Sequence, residues 1–373
     1  LRWWMDIKKK QQILYVKNTV GMMLWRKRWS CIEESEMEIG KTKDREKWVD
    51  YVKVIACVLV VLGHFFQSMV KATIIPDNDL YSWFNKTIYY FHVPLFFICS
   101  GYLYQKYSRI KNILDWKNNI IKKLIALGIP YFVFSIVTWI LKTMFAGSVN
   151  DEMSGLAESL FKNPTAPYWY LYSLFFIFLI TITYKNKTNK MLLIAFAIVL
   201  KAIALLTGGV GIYAISTVMV NEIWFVIGMC LTDIDMDKMN NRFVGMLLGI
   251  IFIVLSVVAY KQNITNGLVT FILGLLACVS VLWIMISCRR YNNRFMDYVA
   301  KYTMPIFLMH TLFAAPVRIV LMKMGLTNSI IQIVIGLAIS FIGPICTAIV
   351  LEKTKYLEFV IYPNKVIKLL KRR

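Results

Sequence analysis

The sequence predicts an all-α integral membrane protein with about ten transmembrane helices and both termini in the cytoplasm. Of its 373 residues, 58% are hydrophobic and only 17% are charged, whereas a soluble domain is closer to half apolar and a quarter charged. The apolar residues form long blocks separated by short polar loops. Basic residues are concentrated in every second loop, as the positive-inside rule requires.

The sequence contains ten apolar blocks, each close in length to the twenty residues that a bilayer-crossing helix needs, although the fourth to the sixth are short. No soluble segment among them is long enough to bury its own core. The blocks run approximately over residues 50–70, 87–105, 124–145, 167–184, 191–207, 216–232, 243–260, 267–287, 303–323 and 328–351.

Lysine and arginine predict the orientation of these spans. One set of loops is strongly basic and contains Lys106, Arg109, Lys111, Lys117, Lys122, Lys123, Lys185, Lys187, Lys190, Lys238, Arg242, Arg289, Arg290, Arg294 and Lys301. The opposite loops hold little beyond Lys71, Lys86, Lys142, Lys162, Lys261 and Lys323. Because the alternation is unbroken, both termini should be cytoplasmic and the number of spans even.

Two flanking segments complete the predicted organisation around a membrane domain at 48–351. Residues 352–373 form a basic cytoplasmic tail that is expected to anchor at the interface. Residues 1–47 combine Trp and Met with basic residues, which is typical of an amphipathic helix on the inner leaflet. The alternative is a mis-called start, with translation beginning near Met37, and the leading Leu1 favours this alternative.

The net charge of +22 does not indicate a nucleic-acid partner, because the basic residues are scattered through loops rather than gathered on one domain. Membrane lipid is the expected partner of these residues. The seven cysteines show no metal-site spacing, so we expect small buried hydrophobes rather than disulfides or a metal site.

Polar residues within the spans are the candidate functional groups, since ionisable side chains are expensive in a membrane. The first span contains Lys53 and His64, which are eleven residues apart and therefore share a helix face, about 16 Å apart along the axis. Asp50 falls on nearly the same face. This polar stripe predicts an internal cavity. Lys53 alone also has a simpler interpretation, in which it snorkels to the inner interface.

Other spans add ionisable groups at a similar depth. All three histidines of the chain, His64, His92 and His310, lie in predicted spans, and Glu222 and Arg318 do so as well. Several pairings among them are compatible with the sequence, including a structural ion pair between Glu222 and Arg318. A lone buried histidine is usually a satisfied core residue, but three in one membrane chain favour function, above all for His64.

Two stretches carry a family resemblance. The first span reads DYVKVIACVLVVLGH, with Asp50 followed by the Lys53-to-His64 spacing, and the second reads FHVPLFFICSGYLY over 91–104. They resemble the membrane acyltransferase-3 family, integral O-acyltransferases of bacterial surface sugars. The second stretch matches the family pattern at Pro94, Phe96, Phe97, Ser100, Gly101 and Tyr102.

Later spans extend the resemblance over about residues 45–350. Trp169 to Leu171 resembles the family's Trp-Tyr-Leu pattern. The stretch IWFVIGM at 223–229 resembles the family's aromatic-Gly span, and MPIFLMHTLF resembles its late-helix histidine motif at His310. Many members instead have Trp-Ser-Leu followed by a glutamate. Tyr170 and the lack of an acidic residue there resemble the sugar O-acetylases of the fucose 4-O-acetylase type.

The resemblance implies transfer of an acyl group, most simply acetyl, from acyl-CoA to a hydroxyl of a cell-surface or lipid-linked carbohydrate. The acceptor would be part of the cell wall, a capsule, an exopolysaccharide or a lipid-linked sugar, and the protein would be a multi-pass protein of the bacterial plasma membrane. Acetyl-CoA would act as a substrate, with no tightly bound cofactor and no metal.

The candidate roles follow from the same resemblance. His64 would be the base or acyl carrier, with His310, His92 and Glu222 as further catalytic candidates. His310, His92 and Arg318 are also the candidates for stabilising the oxyanion that forms on attack. Lys53, Asp50 and Arg318 would form the binding site of the acyl-CoA donor. The alternatives are a multi-span transporter, which would usually show internal repeats, and a non-catalytic partner in polysaccharide export.

Overall fold

The computed structural model describes residues 46–108, 110–145, 155–291 and 293–371, and these ranges contain helices and no strand. The described residues from Lys47 onward belong to one compact unit. Nearly all of the predicted N-terminal segment, together with Arg109 of the basic loops, lies outside the described residues. The prediction of an all-α membrane protein is confirmed.

Eight helices in the described part of the chain are long and apolar enough to cross a membrane. They are α1 (Lys47–Lys71), α4 (Ile113–Met144), α6 (Lys187–Thr207), α7 (Tyr213–Asp233), α8 (Arg242–Lys261), α9 (Gly267–Ser287), α10 (Arg294–Lys323) and α11 (Ser329–Lys353). One π-helical turn, Leu124–Gly128, interrupts α4, and a short 3₁₀ turn ends α7. Each corresponds to one of the ten predicted spans.

The second predicted span differs from the expectation because it is broken near its start. Helix α2 (Asp79–Tyr89) ends there, and α3 (His92–Tyr107) begins after Phe91, whose φ of −139° is not helical. Pro94 has no backbone N–H to donate, so it is tolerated in the first turn of a helix, where no intrahelical acceptor exists. The span is therefore a short helix of 16 residues.

The fourth predicted span is also shorter than expected. Helix α5 (Trp169–Ile180) has 12 residues, or about 18 Å, against the roughly 30 Å of a bilayer core. The preceding irregular segment is held inside the protein by Tyr168, which is fully buried and donates a hydrogen bond to Leu308 O at 3.0 Å. Irregular backbone at membrane depth is tolerated where it is buried in protein.

Helices α3 and α7 are in backbone contact at two glycines. A Cβ atom on Gly101 would lie 1.9 Å from Phe225 O, and one on Gly228 would lie 2.0 Å from Ile98 O. Small residues allow such close approach between membrane helices. Helix α1 packs against both α3 and α10, so these four helices form the centre of the bundle.

The C-terminal tail folds back on the bundle through α12 (Lys355–Glu358) and α13 (Pro363–Lys371). Pro305 has no N–H, so the carbonyl of Lys301 lacks its helical donor. The Tyr362 hydroxyl donates to this carbonyl at 3.2 Å. Ile361 and Val366 are buried, so part of the predicted tail belongs to the packed structure.

We expect Gly101→Ala to destabilise the protein, because its new methyl group would force α3 and α7 apart. Overpacking of this kind typically costs about 1–3 kcal/mol or more. Thermal unfolding in detergent, followed by size-exclusion chromatography, measures the effect. Gly128→Ala is the matched control, since a Cβ there meets only a Leu124 side-chain atom at 3.5 Å. Equal melting temperatures for the two variants would contradict the backbone contact.

Candidate functional site

A cavity of about 610 Å³ lies among the helices of the bundle, within the size range of small-molecule sites. Its polar lining includes His64, His92, Lys201 and Asn221, and aromatic rings from several helices cover much of the remaining wall. These polar side chains come from α1, α3, α6 and α7, so the cavity brings together residues that are far apart in the sequence.

The cavity lies toward one end of the bundle. Trp169 is the first residue of α5, Gly267 is the first residue of α9, and Leu205 is two residues from the end of α6, and all three line it. Ala166 and Pro167 of the irregular segment before α5 contribute as well. The basic loops lie at the other ends of these helices. In the predicted orientation the cavity is therefore in the outer half of the membrane.

His64 reaches the cavity from α1. Val60 and Gln67, four residues before and three after it, line the same cavity, as expected for one helix face. The His64 ring packs against that of His310, with centroids 5.5 Å apart and an interplanar angle of 35°. None of the described residues hydrogen-bonds to His64, which leaves its ring nitrogens available to a bound molecule.

His310 is buried in α10 behind His64. Its Nδ1 lies 3.0 Å from both Ile306 O and Phe307 O. Carbonyl oxygens only accept hydrogen bonds, so Nδ1 carries the proton of the neutral ring. Nε2 is then a lone-pair acceptor, and it is buried with no partner among the described residues. Neutral His310 therefore has no second N–H to offer to an oxyanion.

His92 is the first residue of α3 and has a similar arrangement. Its Nδ1 lies 2.7 Å from Ile88 O, which places the proton on this nitrogen for the same reason. The Tyr89 ring packs edge-on against it, with centroids 4.7 Å apart. The break between α2 and α3 therefore presents a second neutral imidazole with a lone pair on Nε2, on the wall of the cavity that His64 also lines.

Glu222 lies in α7 and is fully buried. Its Oε1 accepts a hydrogen bond from the Thr181 hydroxyl at 2.7 Å, and its Oε2 has no partner in the described part of the chain. Glu222 is not among the residues that line the cavity, whereas its neighbour Asn221 is. The structure therefore places this candidate beside the site rather than in it.

Arg318 joins the outer ends of α1 and α10. Its Nη1 donates to the backbone oxygen of Ser68 at 2.6 Å and to the Ser68 hydroxyl at 2.7 Å. The ion pair with Glu222, one of the pairings compatible with the sequence, is not formed, because Oε1 of the glutamate is bound to Thr181 and its Oε2 has no partner in the described part of the chain. Ser68 is fifteen residues after Lys53, or about 22 Å along α1, so Arg318 and Lys53 lie at opposite ends of the helix.

Lys53 and Asp50 lie near the start of α1 and are half-buried. Neither lines the cavity. The polar residues predicted to share one face of α1 do so, because the helix is continuous from Asp50 to His64. The cavity, however, reaches only the His64 end of this face.

The sequence contains a local signal for Lys201, which was not among the predicted site residues. Lys201 is a basic residue inside the predicted span 191–207, and the structure places it in the cavity wall. Asn221 and Trp224 also line the cavity, but neither is unusual enough in an apolar span to predict a site. Their position depends on the packing of α7 rather than on a local pattern.

Residues 46–349 match the model of a family described as an acyltransferase domain. The chain also resembles two proteins named nodulation protein NolL. The one from Mesorhizobium japonicum (strain LMG 29417 / CECT 9101 / MAFF 303099) is 28% identical over 162 residues, 42% of this chain and 41% of the relative. The one from Sinorhizobium fredii (strain NBRC 101917 / NGR234) is 29% identical over 175 residues, 45% of each chain.

The chain thus spans less than half the length of the two nodulation proteins that it matches. No solved structure gives a significant match. The family match covers most of the chain, from the start of α1 to near the end of α11.

Thr181→Val should lower the melting temperature by a few degrees, because it leaves both carboxyl oxygens of the buried Glu222 without a donor. Orphaned buried polar groups cost about 1–3 kcal/mol. Valine has nearly the same shape as threonine, so the change tests the hydroxyl alone. Thr181→Ser, which keeps the hydroxyl, is the control in the same unfolding assay. A melting temperature of Thr181→Val equal to that of the wild type would refute the bond.

Proposed function

The chain belongs to the acyltransferase family that it matches, and we propose that it transfers an acetyl group from acetyl-CoA to a carbohydrate hydroxyl. The family predicted from the sequence is confirmed. The observation that carries the proposal is the cavity lined by His64 and His92, with His310 packed on His64. As a multi-pass protein, the chain would act in the bacterial plasma membrane on a cell-surface or lipid-linked glycan.

The proposed chemistry needs a base, because a sugar hydroxyl has a pKa far above 7. A neutral imidazole accepts a proton near neutral pH. In the proposed step, a nitrogen of His64 takes the hydroxyl proton while the sugar oxygen attacks the thioester carbonyl. The carbon–sulfur bond then breaks, and the proton passes to the departing thiolate of CoA. The products are the acetyl ester and the free thiol.

His310 is best suited to position His64 rather than to touch the substrate. Its ring is buried, it is held by two backbone carbonyls, and it packs against the His64 ring. His92 lines the cavity and holds a lone pair on Nε2, so it is a second candidate base. Asn221 lines the same cavity and retains one amide N–H beyond its bond to Thr217 O, which suits it to an oxyanion.

The proposed binding site of the acetyl-CoA donor is at the opposite end of α1 from Arg318. Lys53 is half-buried near the cytoplasmic end in the predicted orientation, close to the basic loops that suit the phosphates of CoA. The thioester-bearing arm would then extend along the polar face of α1 toward His64. Asp50, one turn from Lys53, would orient its ammonium group. Arg318 has no part in this scheme, since it anchors Ser68 at the other end.

His64→Ala should reduce acetyl transfer by about 10²–10⁴-fold, the usual contribution of a general base, while expression and membrane insertion stay normal. Membranes that contain the wild type or the variant are incubated with radiolabelled acetyl-CoA, and label in glycan is counted. Gln262→Ala, at the exposed end of α8, is the control. Transfer retained by His64→Ala would exclude His64 as the base.

Lys53→Met should raise the KM for acetyl-CoA about tenfold, because a charge-assisted contact to the donor is lost, with a smaller effect on kcat. Lys53→Arg keeps the charge and should retain a KM close to that of the wild type. An unchanged KM in Lys53→Met would instead support the interpretation in which Lys53 snorkels to the interface.

A further inference from the structure

We infer that the acceptor carries an anionic group, a phosphate or a carboxylate, which binds Lys201 in the wall of the cavity. This inference rests on the proposed function, since it takes the cavity as the place where the carbohydrate binds. It adds the chemical class of the acceptor and one residue that selects it.

Lys201 lies on the face of α6 that borders the cavity. Ala204 and Leu205, three and four residues later, line the cavity with it, as expected for neighbours on one helix face. Other positions of α6 are exposed: Ile198 is 54% exposed and Leu206 is 86% exposed, in a helix suited to lipid contact. Lys201 shares its face with Ala197 and Ala204, which are buried, so this charge is on the side of the helix that packs on the protein.

The contacts of Lys201 do not neutralise its charge. Nζ donates to Val220 O at 3.3 Å and lies 5.1 Å from the centroid of the Phe271 ring. An ammonium group has three donors, and the carbonyl uses one of them. Among the described residues that line the cavity, none is aspartate or glutamate. A cation at membrane depth is expensive without a counter-charge, and a bound anion would provide it.

Lys201 is six residues from the end of α6, about 9 Å along the axis, which is within reach of the outer interface by snorkelling. Its ammonium group instead turns to α7, where it meets the carbonyl of Val220. The ammonium group therefore points toward the protein, as a binding role requires. A lysine that only snorkels to the interface would not need this contact.

The remaining walls suit a sugar that carries such an anion. Trp169 and Trp224 line the cavity with flat rings, on which the C–H face of a sugar can pack. His64 and His92 supply neutral bases for its hydroxyl. One fixed cation and no carboxylate in the lining give the cavity a positive potential that attracts an anionic molecule.

The position of Lys201 assigns it to the acceptor rather than to the donor. Lys201 lies toward the end of the bundle where α5 and α9 begin and α6 ends. The basic loops proposed for CoA lie at the opposite end. The phosphates of the donor and the anion of the acceptor would therefore approach the histidines from two sides.

The experiment measures binding to the purified full chain with three probes that share the glucose ring: glucose, which is neutral, glucuronate, which carries a carboxylate at C6, and glucose 1-phosphate, which carries a phosphate at C1. Quenching of tryptophan fluorescence gives each affinity, because two tryptophans line the cavity. We expect at least one anionic sugar to bind about tenfold more tightly than glucose. Lys201→Met should remove this preference and Lys201→Arg should keep it. The preferred anion distinguishes a uronic acid from a phosphate-bearing acceptor.

Lys261→Met is the matched control, since it removes one lysine from an exposed position at the end of α8, outside the cavity lining. Equal affinities for the three sugars, no binding of any of them, or an unchanged preference in Lys201→Met would overturn the inference. A rise in the KM for acetyl-CoA alone would also overturn it, by assigning Lys201 to the donor. Preferential binding of anionic sugars without any acetyl transfer would retain the inference and remove the proposed function.

Discussion

A lipid bilayer offers no water to its proteins, so each polar atom at membrane depth has to find its partner inside the bundle. Two buried hydrogen bonds follow this constraint. The Tyr168 hydroxyl donates to Leu308 O, and the Thr181 hydroxyl donates to Glu222. Both donors lie just outside regular helix, at the two ends of α5, where the chain is free to turn a side chain inward.

By the same constraint, a polar group at membrane depth that has no partner in the protein is a candidate to bind a ligand. Nε2 of His310 is buried without a partner among the described residues, and His64 faces a cavity. The close contact of α3 and α7 at Gly101 and Gly228 holds these two helices together. His92 on α3 and Asn221 on α7 line one cavity, so a backbone contact outside the cavity lining helps to position two of its polar side chains.

The sequence predicted those features that depend on one helix at a time. The register of Lys53 and His64 and the apolar length of eight helices follow from periodicity and composition. The break before His92 was not predicted, because Phe91 and Pro94 fit a continuous apolar run equally well. The partners of Glu222 and Arg318 depend on which helices are neighbours, which a single sequence does not encode. Lys201 had a local signal, but only packing shows that it faces the protein.

The irregular segment before α5 has a consequence for evolution. Ala166 and Pro167 line the cavity from a stretch that is not helical, and Tyr168 fastens this stretch to the core. Substitutions in such a segment reshape one wall without breaking a transmembrane helix, as loops on a rigid scaffold do elsewhere. The shape of the cavity can therefore diversify among descendants of this fold while the histidines, carried on helices, keep their arrangement.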